Sequence, residues 1–117
     1  MKIDVLGTKY DVRRVNSGED DFVQKMNLGG YCNSSKHEIV ILNLKSNDGW
    51  KNEPDDVIKK QENETIRHEL IHAFLNESGM KWNSVGVDHW AMNEEMIDWF
   101  AIQFPKIVKA FEEAGCI

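Results

Sequence analysis

Residues 55–78 read DDVIKKQENETIRHELIHAFLNES, and this stretch decides the fold. Its apolar members, from Val57 and Ile58 through Ile66, Leu70 and Ile71 to Phe74 and Leu75, recur at helical spacing and predict one helix of about six turns. Asn52 is the expected N-cap, with Pro54, Asp55 and Asp56 suited to a first turn. Gly79 stands where a helix ends on a left-handed residue.

Working outward, residues 80–89 read as an irregular loop containing Gly86. A second helix is expected from about Ala91 to Ala114, with Gly115 behind it and Pro105 as a point of kinking or splitting. Toward the N-terminus the pattern shortens. Lys2 to Leu6, a Gly7-Thr8 turn and Tyr10 to Val15 predict a hairpin. Asp20 to Asn27 predicts one or two helical turns with Phe22, Val23 and Met26 on a face. Tyr31 and Cys32, a turn at Asn33-Ser34-Ser35, and Glu38 to Leu44 predict a second hairpin whose nearly all-apolar second strand is central. The fold class is therefore α+β, a small antiparallel-rich sheet against two long helices, in one domain over residues 1–117.

Composition narrows the function classes. Twenty acids stand against 14 Lys and Arg, leaving a formal charge of −6. Scattered basic residues in an acidic chain argue against nucleic acid and against an anionic membrane surface. The longest apolar run, Ile39 to Leu42, is far short of a membrane span, and Asp4 and Gly7 interrupt any signal-like stretch after Lys2. Cys32 and Cys116 form no close pair, so a reduced, cytoplasmic setting is expected.

Within the long helix stands His68-Glu69-Leu70-Ile71-His72, an HExxH. Residues four apart share a helix face, so both imidazoles can reach one metal ion, while Glu69 projects beside them as a proton acceptor. Imidazole and carboxylate suit zinc, and a catalytic zinc needs a third protein ligand and an open water position. The second helix offers Asn93-Glu94-Glu95-Met96-Ile97-Asp98, in which Glu94 and Asp98 share a face. With Glu94 as ligand, Asp98 lies one turn on, where it can accept the free N–H of a ligand imidazole. Glu95 and His89 are the rival third ligands.

HExxH followed by NExxxD resembles the gluzincin division of zinc metallopeptidases. HELIHAFLNESG and NEEMIDWFA also resemble the ImmA/IrrE-like group of small phage and prophage-associated zincins. The likeness spans residues 66–104, about a third of the chain. It implies a zincin-like fold, one Zn²⁺ ion held by His68, His72 and Glu94, Glu69 as general base, Asp98 as the orienting partner, and a phage or prophage origin. The loop between the helices is short, and Leu75 stands where a metzincin would need Gly.

Other residues carry lesser expectations. His89 or Tyr31 can donate to an oxyanion or touch substrate. Trp99, Phe100 and Phe104 are expected to pack against Ile66, Leu70 and Phe74, with Trp82 and Trp90 flanking the active-site loop. His37 and the acids Glu19, Asp20 and Asp21 read as solvated turns, and Cys32 as a structural thiol. The expected function is a zinc-dependent peptidase acting on a peptide or protein, which an exposed strand around Tyr31–Asn33 or Ile39–Asn43 would align. The rivals are a zinc-binding regulatory or interaction module without proteolysis, and a zinc hydrolase of a non-peptide amide.

Overall fold

The computed structural model describes residues 1–83, 90–113 and 117. Strands β1 (Lys2–Val5) and β2 (Thr8–Val15) form the first hairpin, and β3 (Gly30–Asn33) and β4 (Glu38–Leu42) the second. Helix α1 (Asp21–Met26) lies between the hairpins. Helices α2 (Asp55–Glu77), α3 (Met80–Asn83) and α4 (Glu94–Glu113) follow, with 3₁₀ turns at Leu44–Ser46 and Trp90–Met92. Among the described residues no helix is long and apolar enough to cross a membrane.

The sheet order is β1-β2-β4-β3, and its central pair is parallel, Asp11 aligning with Glu38 through to Val15 with Leu42. The sheet is mixed: two antiparallel hairpins join through a parallel seam, which the reading of each hairpin alone did not anticipate. The side chains explain the seam. Ile39 and Ile41 enter one core cluster with Tyr10, Val12 and Ala73, while Val40 and Leu42 enter the other with Val15, Val23 and Ile58. A strand buried on both faces and paired on both edges must sit inside a sheet. Segment Ile39–Asn43 therefore offers no free edge to a peptide, whereas β3 is an outer strand.

Local chemistry places the turns and helix ends. The first hairpin turns on Leu6 and Gly7, both at positive φ (52° and 91°), one residue earlier than expected. This is the paired left-handed geometry that suits a two-residue hairpin. Asp20 caps α1, accepting from the Val23 N–H at 2.9 Å, so it is a structural cap and not a solvated acid. Of the expected α1 face, Val23 is buried while Phe22 and Met26 stay exposed. Pro54, not Asn52, is the cap residue of α2. No side chain caps that end, and Asp55 and Asp56 meet the positive pole of the helix instead. Ser78 and Gly79 (φ 81°) end it as expected. Residues 80–83 form α3 where a loop was expected, and α4 runs through Pro105 without a break.

The stripe of α2 turned to the sheet mixes apolar residues and acids: Ile58, Glu62, Glu69 and Ala73 are buried. Each acid is satisfied. Glu62 accepts the Leu44 N–H at 2.9 Å and pairs with Arg14 of β2. Glu77, near the end of the helix, accepts from Thr8 Oγ1 and the Tyr10 hydroxyl, both at 2.8 Å. Helix α4 packs on α2 through the buried Ile97 and Ala101, with the Arg67 guanidinium donating to the Ala101 carbonyl. Because the crossing uses small Ala101, Trp99, Phe100 and Phe104 are not core residues and remain a third to a half exposed. Phe100 and Phe104 line an apolar groove of about 660 Å³ with Leu70, Ile71, Phe74 and Trp90.

The two hydroxyls on Glu77 hold its carboxyl below the usual range. A lowered folded pKa contributes stability that is present above the unfolded value, about 4.3, and lost as pH falls through the folded value. Glu77→Gln is therefore expected to cost about 1–2 kcal/mol at pH 7. The deficit against wild type should shrink on acidification below pH ~4. Urea melts of both proteins from pH 7 to pH 3 check this; a deficit independent of pH would refute the ionic role.

Candidate metal centre

Helix α2 presents His68 and His72 one turn apart, and α4 presents Glu94 and Asp98 in the same relation. Packing of the two helices brings the pairs together. One donor atom from each of His68, His72 and Glu94 lies within 4.8 Å of the others. The Nε2 atoms of His68 and His72 are 3.2 Å apart, and the Glu94 carboxylate spans them, Oε2 at 3.1 Å from His68 and Oε1 at 3.1 Å from His72. Asn93 caps α4, its Oδ1 accepting the Met96 N–H at 2.9 Å, which puts Glu94 in the first turn where the helix dipole favours an anion.

The donor set fits a zinc ion. Asp98 Oδ1 lies 2.7 Å from His68 Nδ1, which makes Nδ1 the protonated nitrogen and leaves the Nε2 lone pair aimed into the group. Two imidazole nitrogens and a carboxylate facing one another at this range could hold a positive centre between them. A tetrahedral zinc with bonds of about 2.0–2.1 Å spaces its ligands roughly 3.3 Å apart; the imidazole nitrogens are 3.2 Å apart, and each lies 3.1 Å from a different oxygen of Glu94. Burial and the neighbouring His68 hold the His72 pKa below its usual value, against the pull of Glu94. This favours the neutral imidazole that a metal requires.

Glu69 lies on the sheet side of the histidines, 7% exposed. Burial pushes its carboxyl up to about 7, with Glu94 and Asp98 adding to the rise, while His68 and a hydrogen bond from the Cys32 backbone N–H oppose it. Cys32 itself is a partly buried thiol that burial raises to about 12, a poor nucleophile.

Two cavities of about 430 and 400 Å³ meet at His68, Glu69 and Glu94, with Leu28 and Gly30 common to both. They form a cleft along the outer strand β3. Gly30 is required there. A Cβ on it would lie 2.8 Å from the Val40 carbonyl oxygen and 2.9 Å from Thr65 Cγ2, so only glycine lets β3 run this close to α2. Tyr31 lines the cleft, but its hydroxyl donates to Asp20 at 3.0 Å and its ring packs edge-on against Phe22.

The expected residues His68, His72, Glu94, Glu69 and Asp98 thus converge, and Glu95 is outside the group. His89 lies outside the described residues. Trp90 lines the apolar groove, and Trp82 is largely exposed. Sequence reasoning missed Gly30 and Lys81 at the cleft, and the doubled glycine ahead of a strand was the available signal for the first. Compared with protein-family models, curated proteins and solved structures, the chain finds no match in any of the three.

Protein stripped with chelator is expected to melt at a lower temperature than protein supplied with one equivalent of Zn²⁺. Asp98→Asn should weaken zinc affinity about 10–100-fold by removing the acceptor that orients His68. Competition with a chromogenic chelator measures that affinity, and an unchanged value would remove Asp98 from the site.

Proposed function

We propose that the chain is a zinc-dependent peptidase of the gluzincin type its motifs resemble, working in a reduced, cytoplasmic setting. The carrying observation is the convergence of His68, His72 and Glu94 within 4.8 Å, with Asp98 on the outer nitrogen of His68. On this reading those three residues hold the ion, and Glu69 shares the cleft with them.

When bound, zinc supplies Lewis acidity toward a carbonyl oxygen and makes a coordinated water acidic enough to lose a proton near neutral pH. The chain's own residues do the rest. Glu69 takes the proton from the attacking water and returns it to the departing amine. The Cys32 N–H and the packing of β3 keep the Glu69 carboxylate in place. Asp98 holds His68 in one tautomer throughout. The remaining backbone groups on the outer edge of β3 pair with an extended peptide and draw it across the His68–Glu69 face.

Glu69→Gln keeps the shape and both imidazoles but removes the base. It should retain zinc at one equivalent and lose hydrolysis of a fluorogenic peptide library by about 10²–10⁴-fold. Metal content by mass spectrometry and turnover of the same preparation check both halves. Wild type that binds zinc but cleaves no peptide would leave the two rivals, a binding module or a zinc hydrolase of a non-peptide amide, which turnover of small amides separates.

A further inference from the structure

The cleft is electrically uneven. Glu69 and Glu94 line both parts, and of charged side chains the part away from His72 adds only the acids Glu64 and Asp98. At its His72 end stands Lys81, the one Lys or Arg lining that part among the described residues. Lys81 sits on α3, immediately after the Gly79 turn that ends α2, and reaches across to the end of β3. Its Nζ donates to Ser34 Oγ at 3.1 Å and lies 5.3 Å from the centre of the Trp82 ring. Among the described residues it has no carboxylate partner within ion-pair distance. A half-buried ammonium beside a hydroxyl that can also donate is a place for an anion.

Strand geometry fixes where a substrate would meet it. Cys32 lies beside Glu69, and Ser34 is two residues further along the same chain. Ser34 is the first turn residue after β3, so a peptide paired to β3 and running on past its end at about 3.3 Å per residue reaches Lys81 roughly two residues from the point opposite Glu69. No Lys or Arg lines the other end among the described residues, so the preference has a direction.

Resting on the peptidase reading, we propose that Lys81 and Ser34 form a carboxylate subsite. The substrates are peptides carrying a carboxylate about two residues from the cleaved bond, on one side only. That carboxylate is either an Asp or Glu side chain or the chain terminus.

The test uses ten-residue fluorogenic peptides in which one Glu or Gln is walked through the positions, each with a free or an amidated C-terminus. Zinc-loaded wild type should favour Glu over Gln at one position by about tenfold in KM, with kcat unchanged. Lys81→Met should abolish the preference, Lys81→Arg should retain it, and Lys81→Glu should shift it to Lys-bearing peptides. A preference for free over amidated peptides with Glu and Gln used alike assigns the subsite to the chain terminus; a Glu preference that persists on amidation assigns it to a side chain. Equal use of Glu and Gln peptides together with equal use of free and amidated ones, or a preference that survives Lys81→Met, overturns the inference while leaving the peptidase reading intact. Anisotropy binding of the same peptides to Glu69→Gln is read in parallel. If no peptide is cleaved, binding that favours Glu and needs Lys81 sustains the subsite after the peptidase reading has failed. Binding indifferent to Lys81, or no binding, removes it.

Discussion

Helix α2 meets the sheet with carboxylates on its inner side, and a buried carboxylate is tolerated only where donors are waiting for it. Glu62 takes the Leu44 N–H and Arg14, Glu69 the Cys32 N–H, and Glu77 the hydroxyls of Thr8 and Tyr10. Those donors come from β2, from β3 and from the turn after β4, so the three acids fix the helix in height and rotation against the sheet. Apolar contact alone would let α2 slide, because Ile58, Ile66 and Ala73 are smooth and interchangeable partners. Fixing the rotation is what matters for the site. Residues 68 and 72 share a face, and residue 69 is turned about 100° from residue 68. Seating Glu69 against β3 therefore aims both histidines away from the sheet, toward α4.

The mixed sheet supplies the other half of the arrangement. Inserting β4 between β2 and β3 leaves β3 on the outside, and Gly30 lets that edge approach α2 at Thr65. An outer strand this near a helix creates a narrow cleft without any extra domain. Helix α4 then closes the far wall. Its register is set by the Arg67 bond to the Ala101 carbonyl, one residue from His68 on one helix and three from Asp98 on the other. A small shift there would separate the Glu94 carboxylate from the imidazoles, so the donor group depends on the crossing as much as on the motif.

Much of this was legible in the sequence because it is local. The HExxH and the NExxxD declare themselves by i, i+4 spacing, and both hairpins by turn residues and apolar runs. Helix α2 was predicted to within a residue at its C-terminus. What failed was what depends on partners far along the chain. Nothing local in β2 or β4 says that they pair in parallel. The rings of Trp99, Phe100 and Phe104 looked like core by type, and only the Ala101 crossing shows why they sit at a rim. Asp20 read as a solvated acid because its partners, Tyr31 and Arg13, are brought to it by the sheet. The role of Lys81 depends in the same way on the fold, since Ser34 is 47 residues away.

The same helix therefore serves three environments at once, and the sequence pays for this in clarity. A helix with one apolar face and one wet face shows a strong apolar stripe. Here one face carries acids matched to strand donors, a second carries histidines toward the cleft, and a third carries Leu70, Ile71 and Phe74 toward the apolar groove. Polar and apolar residues alternate around the whole circumference, so the overall amphipathicity of α2 is weak although its placement is tightly determined. Helix α4, which has one face to bury and one to expose, shows the ordinary pattern. The carboxylates that hold α2 to the sheet are spaced so that the middle one, Glu69, stands where the chemistry would use it.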